Sequence, residues 1–542
     1  MCQNLLMKKY LVPLFYGLLA LFSAYMLFYN LGSRVLWADE AETALLAQNI
    51  NRFGVPKVSD GKNTVTVLGS SIDSNSDGLW IWAPWLDKYI AAGSFRLFGK
   101  STLSARLPFA FASFAALWLA VLLARKLYGD DRYALFTGFI LASSQFFVLH
   151  ARQCRYYALL FLGAAWLLIG VRYIAEGKSL RGALHTAGAL AVLFYSNYLA
   201  AAGNILALLA ACVFFRRGVS GVWKAAGIAA AAFAALVLPW TLYARIWEHG
   251  GVRVAESFFS KLWAYAMHVN FWVFPFVLLL VPPAAKWFAR LREKNIAAEL
   301  KGHSKKERRE LLAKTLPAAS GPSAAALFTE KFIWLSVPAQ LVLLAYAPAN
   351  VSQRYLCVLA VPLAVVSSAL LLRHAKGTVM SAGLAVLFFG TNLPAFVFWP
   401  WRGDAVPQSP ACLTAAEVSV PYKDRLDDIL AYFRANAKPD QTVYGFDPEF
   451  AFIFYTGMKV TDGRFAGAEL PVPPPDWVFA DTASGVTAYS MRLPDTAERF
   501  YERVDIPVHD TKRASAIPES DMHERFTPDK MTVFPVYKLR AI

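Results

Sequence analysis

Residues 10–31 read YLVPLFYGLLALFSAYMLFYNL, and after GSRVL comes WADEAE at 37–42. The first stretch carries no charge over roughly 20 positions, the length of a helix that crosses a bilayer. It follows Lys8 and Lys9, and no small-residue cleavage site closes it, which favours a retained span over a signal peptide. The second stretch puts two adjacent carboxylates, Asp39 and Glu40, just past the membrane. Ala41, Leu45, Leu46, Ile50 and Phe53 keep helical spacing up to Gly54, so a helix is expected over 39–53.

The apolar block recurs at 103–124, 133–149, 157–174, 183–199, 201–215, 225–243, 266–288, 332–347, 355–372 and 378–399. The spacing predicts a polytopic α-helical membrane protein with about 11 transmembrane helices. The weakest division is the one near Ser196, Asn197 and Tyr198. Of the 542 residues 57% are hydrophobic and only 17% charged. Soluble proteins carry nearer a quarter, and a disordered chain carries more still, so both classes are excluded.

The net charge of +16 would suit nucleic acid if it formed one surface, but its charges are sorted by position. With a cytoplasmic N-terminus, the inner loops hold Arg125, Lys126, Arg132, Arg172, Lys178, Arg181, Arg216, Arg217, Lys224, the basic loop 286–314, Arg373 and Lys376. This is the positive-inside pattern, and it gives no support to nucleic-acid binding. Seven acidic residues, Asp39, Glu40, Glu42, Asp60, Asp73, Asp77 and Asp87, share one outer loop, 32–100. A loop of that length carries function or structure of its own. Its 80–98 segment is aromatic and amphipathic, as for a helix lying in the membrane interface.

Residues 1–399 therefore read as a membrane domain and 400–542 as a soluble α/β domain on the outer side. The second is polar and about five charges negative. Helices are expected over 422–437 and 495–503, and strands over 442–446, 477–480 and 532–538. Cys2, Cys154, Cys212, Cys357 and Cys412 show no metal or redox spacing. Neither a phosphate-binding glycine loop nor a nucleotide fingerprint is present, so energy must come with an activated, membrane-borne donor.

Asp39 and Glu40 suit two uses. Acids at a helix start cap it and complement its dipole. A carboxylate there also serves as the general base that takes a proton from an attacking hydroxyl, its neighbour orienting the acceptor or a metal. The cluster Arg152-Gln153-Cys154-Arg155-Tyr156-Tyr157 lies at an outer junction of spans, and Gln353-Arg354-Tyr355 opens a later one. Arg and Tyr anchor helices at that depth, and Arg grips phosphate with a two-pronged fork. Arg354 runs against the positive-inside trend, which favours the phosphate role for it. A transporter or lipid flippase without transferase activity is the alternative. Such proteins carry ionisable groups or broken helices at mid-membrane, where these spans are nearly uncharged.

In order along the chain, Asp39-Glu40-Ala41, Phe98-Gly99-Lys100-Ser101, Ala105-Arg106-Leu107-Pro108, RQCRYYAL at 152–159, Arg354-Tyr355-Leu356 with Pro362, and Pro475-Asp476-Trp477-Val478 form a set. This set resembles the GT-C glycosyltransferases that use polyprenyl-phosphate sugars, in particular protein O-mannosyltransferases and aminoarabinose lipid A transferases. The resemblance implies a GT-C-like fold and inverting transfer of a sugar from a polyprenyl-phosphate donor to a hydroxyl of a lipid, glycan or protein acceptor. It implies Asp39 as base and Glu40 as its partner, and Arg152, Arg155, Tyr156, Arg354 and Tyr355 as the donor-phosphate site. Trp85, Lys88 and His268 become candidate substrate contacts. The implied setting is the bacterial inner or plasma membrane. Two departures stand out: Glu42-Thr43 replaces an Arg-Tyr pair, and WAPWLDK at 82–88 replaces a Lys-Pro-Pro-Leu segment preceded by an acid. A divalent metal is the one cofactor the resemblance raises, and its ligating acid is not placed in that stretch.

Overall fold

The structure, a computed structural model, describes residues 2–67, 69–215, 219–248, 256–287, 290–291, 323–347, 350–374, 381, 410–420, 423, 425–445, 449–462, 472–479, 499–509 and 531–540. Its membrane part is built from α1 (Cys2–Phe28), α2 (Ala38–Phe53), α3 (Leu86–Phe98), α4 (Thr102–Tyr128), α5 (Asp131–Ser143), α6 (Gln145–Ala151), α7 (Tyr157–Ala175), α8 (Ser179–Ser196), α9 (Tyr198–Phe215), α10 (Val222–Ala244), α11 (Phe258–His268), α12 (Ala324–Tyr346) and α13 (Cys357–His374). Among the described residues seven helices are long and apolar enough to cross a membrane. The chain is an integral membrane protein.

Against the expected count of about 11, the described residues give seven such helices, or nine if each of two bent pairs is one span. The 133–149 span is two helices, α5 and α6, bent by 67° at Ser144. The 266–288 span breaks by 83° around Phe274-Pro275, because Pro275 has no N–H to continue a helix. α8 is less apolar, with Arg181 and His185 along it, and it parts from α9 at Asn197 as expected. The block at 378–399, residue 381 apart, lies outside the described residues.

The helices pack through small residues, as spans do when lipid offers no hydrophobic gain for association. A Cβ on Gly170 would stand 2.8 Å from the backbone N of Thr186, and one on Gly182 would stand 2.7 Å from that of Ile174. α7 and α8 therefore touch backbone to backbone. Gly170→Val is expected to destabilise the protein by at least ~1–3 kcal/mol through overpacking, read as a lower unfolding temperature in detergent. An unchanged temperature would mean that the two helices are free to move apart.

The loop after α1 is ordered by side chains rather than by regular structure. Asp73 Oδ2 accepts the Thr66 hydroxyl at 2.7 Å, and Asn75 Nδ2 donates to the Ala244 carbonyl at 3.2 Å. The helix expected over 39–53 is α2, closed by Gly54 in the left-handed region at φ +80°. The helix expected over 80–98 starts only at Leu86. Pro84 cannot complete an earlier turn, and the Trp80 carbonyl is taken by Trp85 Nε1. Trp80 and Trp85 are buried inside the protein, so neither lies at a lipid interface.

The C-terminal region contains α14 (Pro410–Ser419), α15 (Arg425–Asn436), α16 (Glu449–Thr456), β1 (Thr442–Gly445), β2 (Lys459–Asp462), β3 (Trp477–Phe479), β4 (Tyr501–His509) and β5 (Met531–Leu539). The sheet order is β2-β1-β3-β5-β4. β1 is parallel to both β2 and β3, whereas β5 is antiparallel to β3 and β4. Phe433 of α15 packs against Phe452, Trp477 and Phe479 to seal one face. The helix expected over 495–503 is corrected at its described end, where residues 501–503 begin a strand. Tyr501, Ile506 and Val508 are buried while Glu502, Arg503, Asp505 and Pro507 are exposed, a sheet alternation that β5 then pairs along its length. The expected boundary near residue 400 lies outside the described residues.

Candidate active site

α2 sorts its acids by helical position. Asp39, Glu42 and Thr43 stand at i, i+3 and i+4 and share a face, while Glu40 is turned about 100° away. Glu40 is wholly buried. Its carboxylate accepts Nε and Nη2 of Arg106 at 2.8 and 2.6 Å, the Cys154 N–H at 2.8 Å and the Trp37 N–H at 3.3 Å. Arg106 also donates to the carbonyls of Leu31, Arg34 and Val35. The capping use foreseen for these acids thus falls to Glu40, which also anchors the loop through Arg106.

Asp39 points to cations. Its Oδ2 accepts Arg354 Nη1 at 2.5 Å and lies 3.5 Å from Arg155 Nη2. Arg155 Nη1 donates to Glu42 Oε1 at 2.8 Å, Thr43 Oγ1 at 3.0 Å and the Asp39 carbonyl at 3.0 Å. Burial opposes charge on Arg155, yet Glu42 and Asp39 together raise its pKa well above the usual arginine range. Burial raises the pKa of Glu42, and Arg155 and Lys88 pull it back. Beyond them Thr43 Oγ1 lies 3.5 Å from Asp87 Oδ2, and Asp87 holds Lys88 Nζ at 3.1 Å. The result is an alternating series of three acids and three bases. Only one end of it is open: the side chains of Arg354 and Asp39 are 34% and 25% exposed, against 8% for Arg155 and 4% for Glu42.

The other expected residues divide. Tyr156 is buried with its ring 5.5 Å from the Arg155 guanidinium, and Tyr355 lies 5.8 Å from that of Arg354. Arg152 is turned to the end of α1, donating to the carbonyls of Met26 and Tyr29 at 2.9 and 2.7 Å. Burial, with Arg106 nearby, lowers its pKa to about 10. Trp85 packs on Trp240, and Lys88 is fully buried on Asp87. His268 closes α11, and among the described residues no hydrogen bond or ion pair joins it to Asp39 or to the arginines. Sequence reasoning missed Glu42, Thr43 and Arg106 as partners. The i+3 and i+4 spacing from Asp39 was the available signal for the first two.

The C-terminal region grips the approach to Asp39. The Leu36 N–H donates to Tyr455 Oη at 2.8 Å, and that hydroxyl lies 2.6 Å from Thr102 Oγ1. Arg34 is ion-paired with Glu417 and donates to the Val420 carbonyl at 3.0 Å.

Residues 83–243 match the family model described as dolichyl-phosphate-mannose-protein mannosyltransferase. The chain resembles the crystal structure of ArnT from Cupriavidus metallidurans bound to undecaprenyl phosphate, with a TM-score of 0.53, 14% identity, and 85% of this chain and 87% of that one covered. Against the apo state of the same protein the TM-score is 0.50 at 14% identity, covering 82% and 86%. The fold is that of the GT-C glycosyltransferases. No curated protein sequence matches the chain.

Within this GT-C fold the departure at Glu42-Thr43 has a partner, since both side chains receive Arg155. The donor set does not suit a resident divalent ion. Asp39, Glu42 and Asp87 already face Arg354, Arg155 and Lys88. Among the described residues no group of three or more His, Cys, Asp or Glu side chains is placed to hold a metal.

Proposed function

We propose that the chain is an inverting glycosyltransferase that moves a sugar from a polyprenyl-phosphate donor to a hydroxyl of a lipid, glycan or protein acceptor, with Asp39 as general base. The carrying observation is the open end of the charge series, where one carboxylate and one guanidinium meet at the only accessible point. The matched family is named for a dolichyl-phosphate sugar, and the similar ArnT structure holds undecaprenyl phosphate, which supports that donor class.

The donor phosphate displaces Asp39 from Arg354, because a guanidinium grips phosphate as readily as carboxylate. Asp39, held near by Arg155, is then free to take the acceptor proton. The acceptor oxygen attacks the anomeric carbon from the face opposite the phosphate. The bond from that carbon to the phosphate oxygen breaks, and the lipid phosphate leaves with one more negative charge, which Arg354 offsets. The placement of Lys and Arg supports a cytoplasmic N-terminus and a reaction on the outer face, and the likeness to ArnT from Cupriavidus metallidurans supports a bacterial inner or plasma membrane.

The two bent spans give the transporter alternative an observation of its own, since transporters break helices at their sites. The bend at Ser144, however, leads through α6 into the 152–156 turn that presents Arg155 to α2. The deciding test is radiolabel movement from a panel of prenyl-phosphate sugars to acceptor by the purified full chain without any gradient. Arg354→Ala is expected to raise donor KM roughly 10–100-fold, the loss of one charge-assisted contact, with little change in unfolding temperature. No transfer with any donor would remove the enzyme proposal, and an unchanged donor KM would remove Arg354 from the phosphate site.

A further inference from the structure

Tyr157 opens α7 directly after the Arg155–Tyr156 turn and is completely buried. Its hydroxyl has no hydrogen-bond partner among the described residues. That is unusual, because most buried polar side-chain atoms are satisfied and an unsatisfied one costs free energy. A phenylalanine would fill the same space without that cost. The ring is well held: His150 meets it edge-on at 5.0 Å and Tyr156 lies 4.7 Å away. His150 donates through Nδ1 to the Phe146 carbonyl at 2.8 Å, and its remaining ring nitrogen makes no hydrogen bond to the Tyr157 hydroxyl.

The surroundings say what the hydroxyl awaits. The Tyr157 ring packs on Tyr156, which carries the Arg155 guanidinium 5.5 Å from its own ring, and Arg155 and Arg354 converge on Asp39, so the charges of all three act on the hydroxyl. Two guanidinium groups make this a place for an anion, and a phenol adds a donor there without adding charge. Nε of Arg155 is likewise buried and without a partner among the described residues. We propose that Tyr157 contacts the substrate, its O–H donating a hydrogen bond to a non-bridging phosphate oxygen of the sugar donor beside Arg354. This rests on the polyprenyl-phosphate reading above. The bond strengthens as the leaving phosphate gains charge, so it favours the transition state over bound donor.

The test is Tyr157→Phe in the full chain, with three readouts. The unfolding temperature should stay equal or rise, because an unsatisfied hydroxyl is removed. Binding of undecaprenyl phosphate, and more weakly of inorganic phosphate, should fall by the same factor, roughly 5–50-fold. Donor kcat/KM should fall at least that far. A lower unfolding temperature overturns the proposal, because it shows that the hydroxyl has a structural partner. So does unchanged binding of both probes, and so does a loss confined to the prenyl lipid, which would set the hydroxyl against the tail. The binding readouts need no turnover. If wild-type protein transfers no sugar, the function proposal fails while the phosphate contact is still judged.

Discussion

Asp39→Asn is expected to lower turnover by roughly 10²–10⁴-fold, the span that a positioned general base contributes. Asparagine keeps the shape and one acceptor oxygen but takes no proton at neutral pH. The fold should survive, because Asp39 and Arg354 are the most accessible members of the charge series and water solvates the freed guanidinium. The sign of the binding change is informative as well. Asp39 competes with the donor phosphate for Arg354, so the asparagine variant should bind undecaprenyl phosphate as tightly as wild type or more tightly. Measured together, turnover falls and lipid-phosphate binding does not. Near-normal turnover with a matched donor and acceptor would show that Asp39 is not the base.

The second large effect belongs to stability. Glu40→Ala leaves Arg106 buried with its main acceptor gone, and Arg106→Ala leaves a carboxylate with no exposure to water. Removing one partner of a buried pair costs about 3–5 kcal/mol. Either variant should unfold well below wild type in a detergent melt, or fail to accumulate. Replacing both residues by methionine should recover part of the loss, since the desolvation of two charges disappears with them. A Glu40→Ala protein with wild-type melting and lost turnover would return Glu40 to the chemistry.

These two neighbours show how far the sequence could be read. The membrane architecture was plain in it, because roughly 20 apolar residues in succession have few alternatives in water. The bends were not, since α5 and α6 form a continuous apolar block and Ser144 gives no strong punctuation. Asp39, Arg155 and Arg354 were named from residue type and position, and the fold brings them together across 116 and 315 positions. The pairing of Asp39 with Glu40 followed adjacency along the chain, whereas a helix pairs residues three and four apart. Glu42 and Thr43 satisfy that rule and take Arg155. Arg152 looked equivalent to Arg155, yet three residues in a tight turn send the two side chains to different ends of the site. Arg106 sat within a quoted motif without a role, because nothing local tells that a guanidinium one turn into a span will reach four backbone and side-chain groups of another loop.

The hold of Tyr455, Glu417 and Val420 on residues 34–36 bears on how the molecule comes into being. Leu36 and Tyr455 are 419 positions apart, and Arg34 and Val420 are 386 apart. A nascent chain therefore threads its spans into the bilayer long before the lead-in to Asp39 acquires its last restraints. Those contacts close only when synthesis has passed residue 455. Asp39 gains these restraints last, so a chain cut just before residue 417 carries every arginine of the site but not the clasp that holds its acid in place.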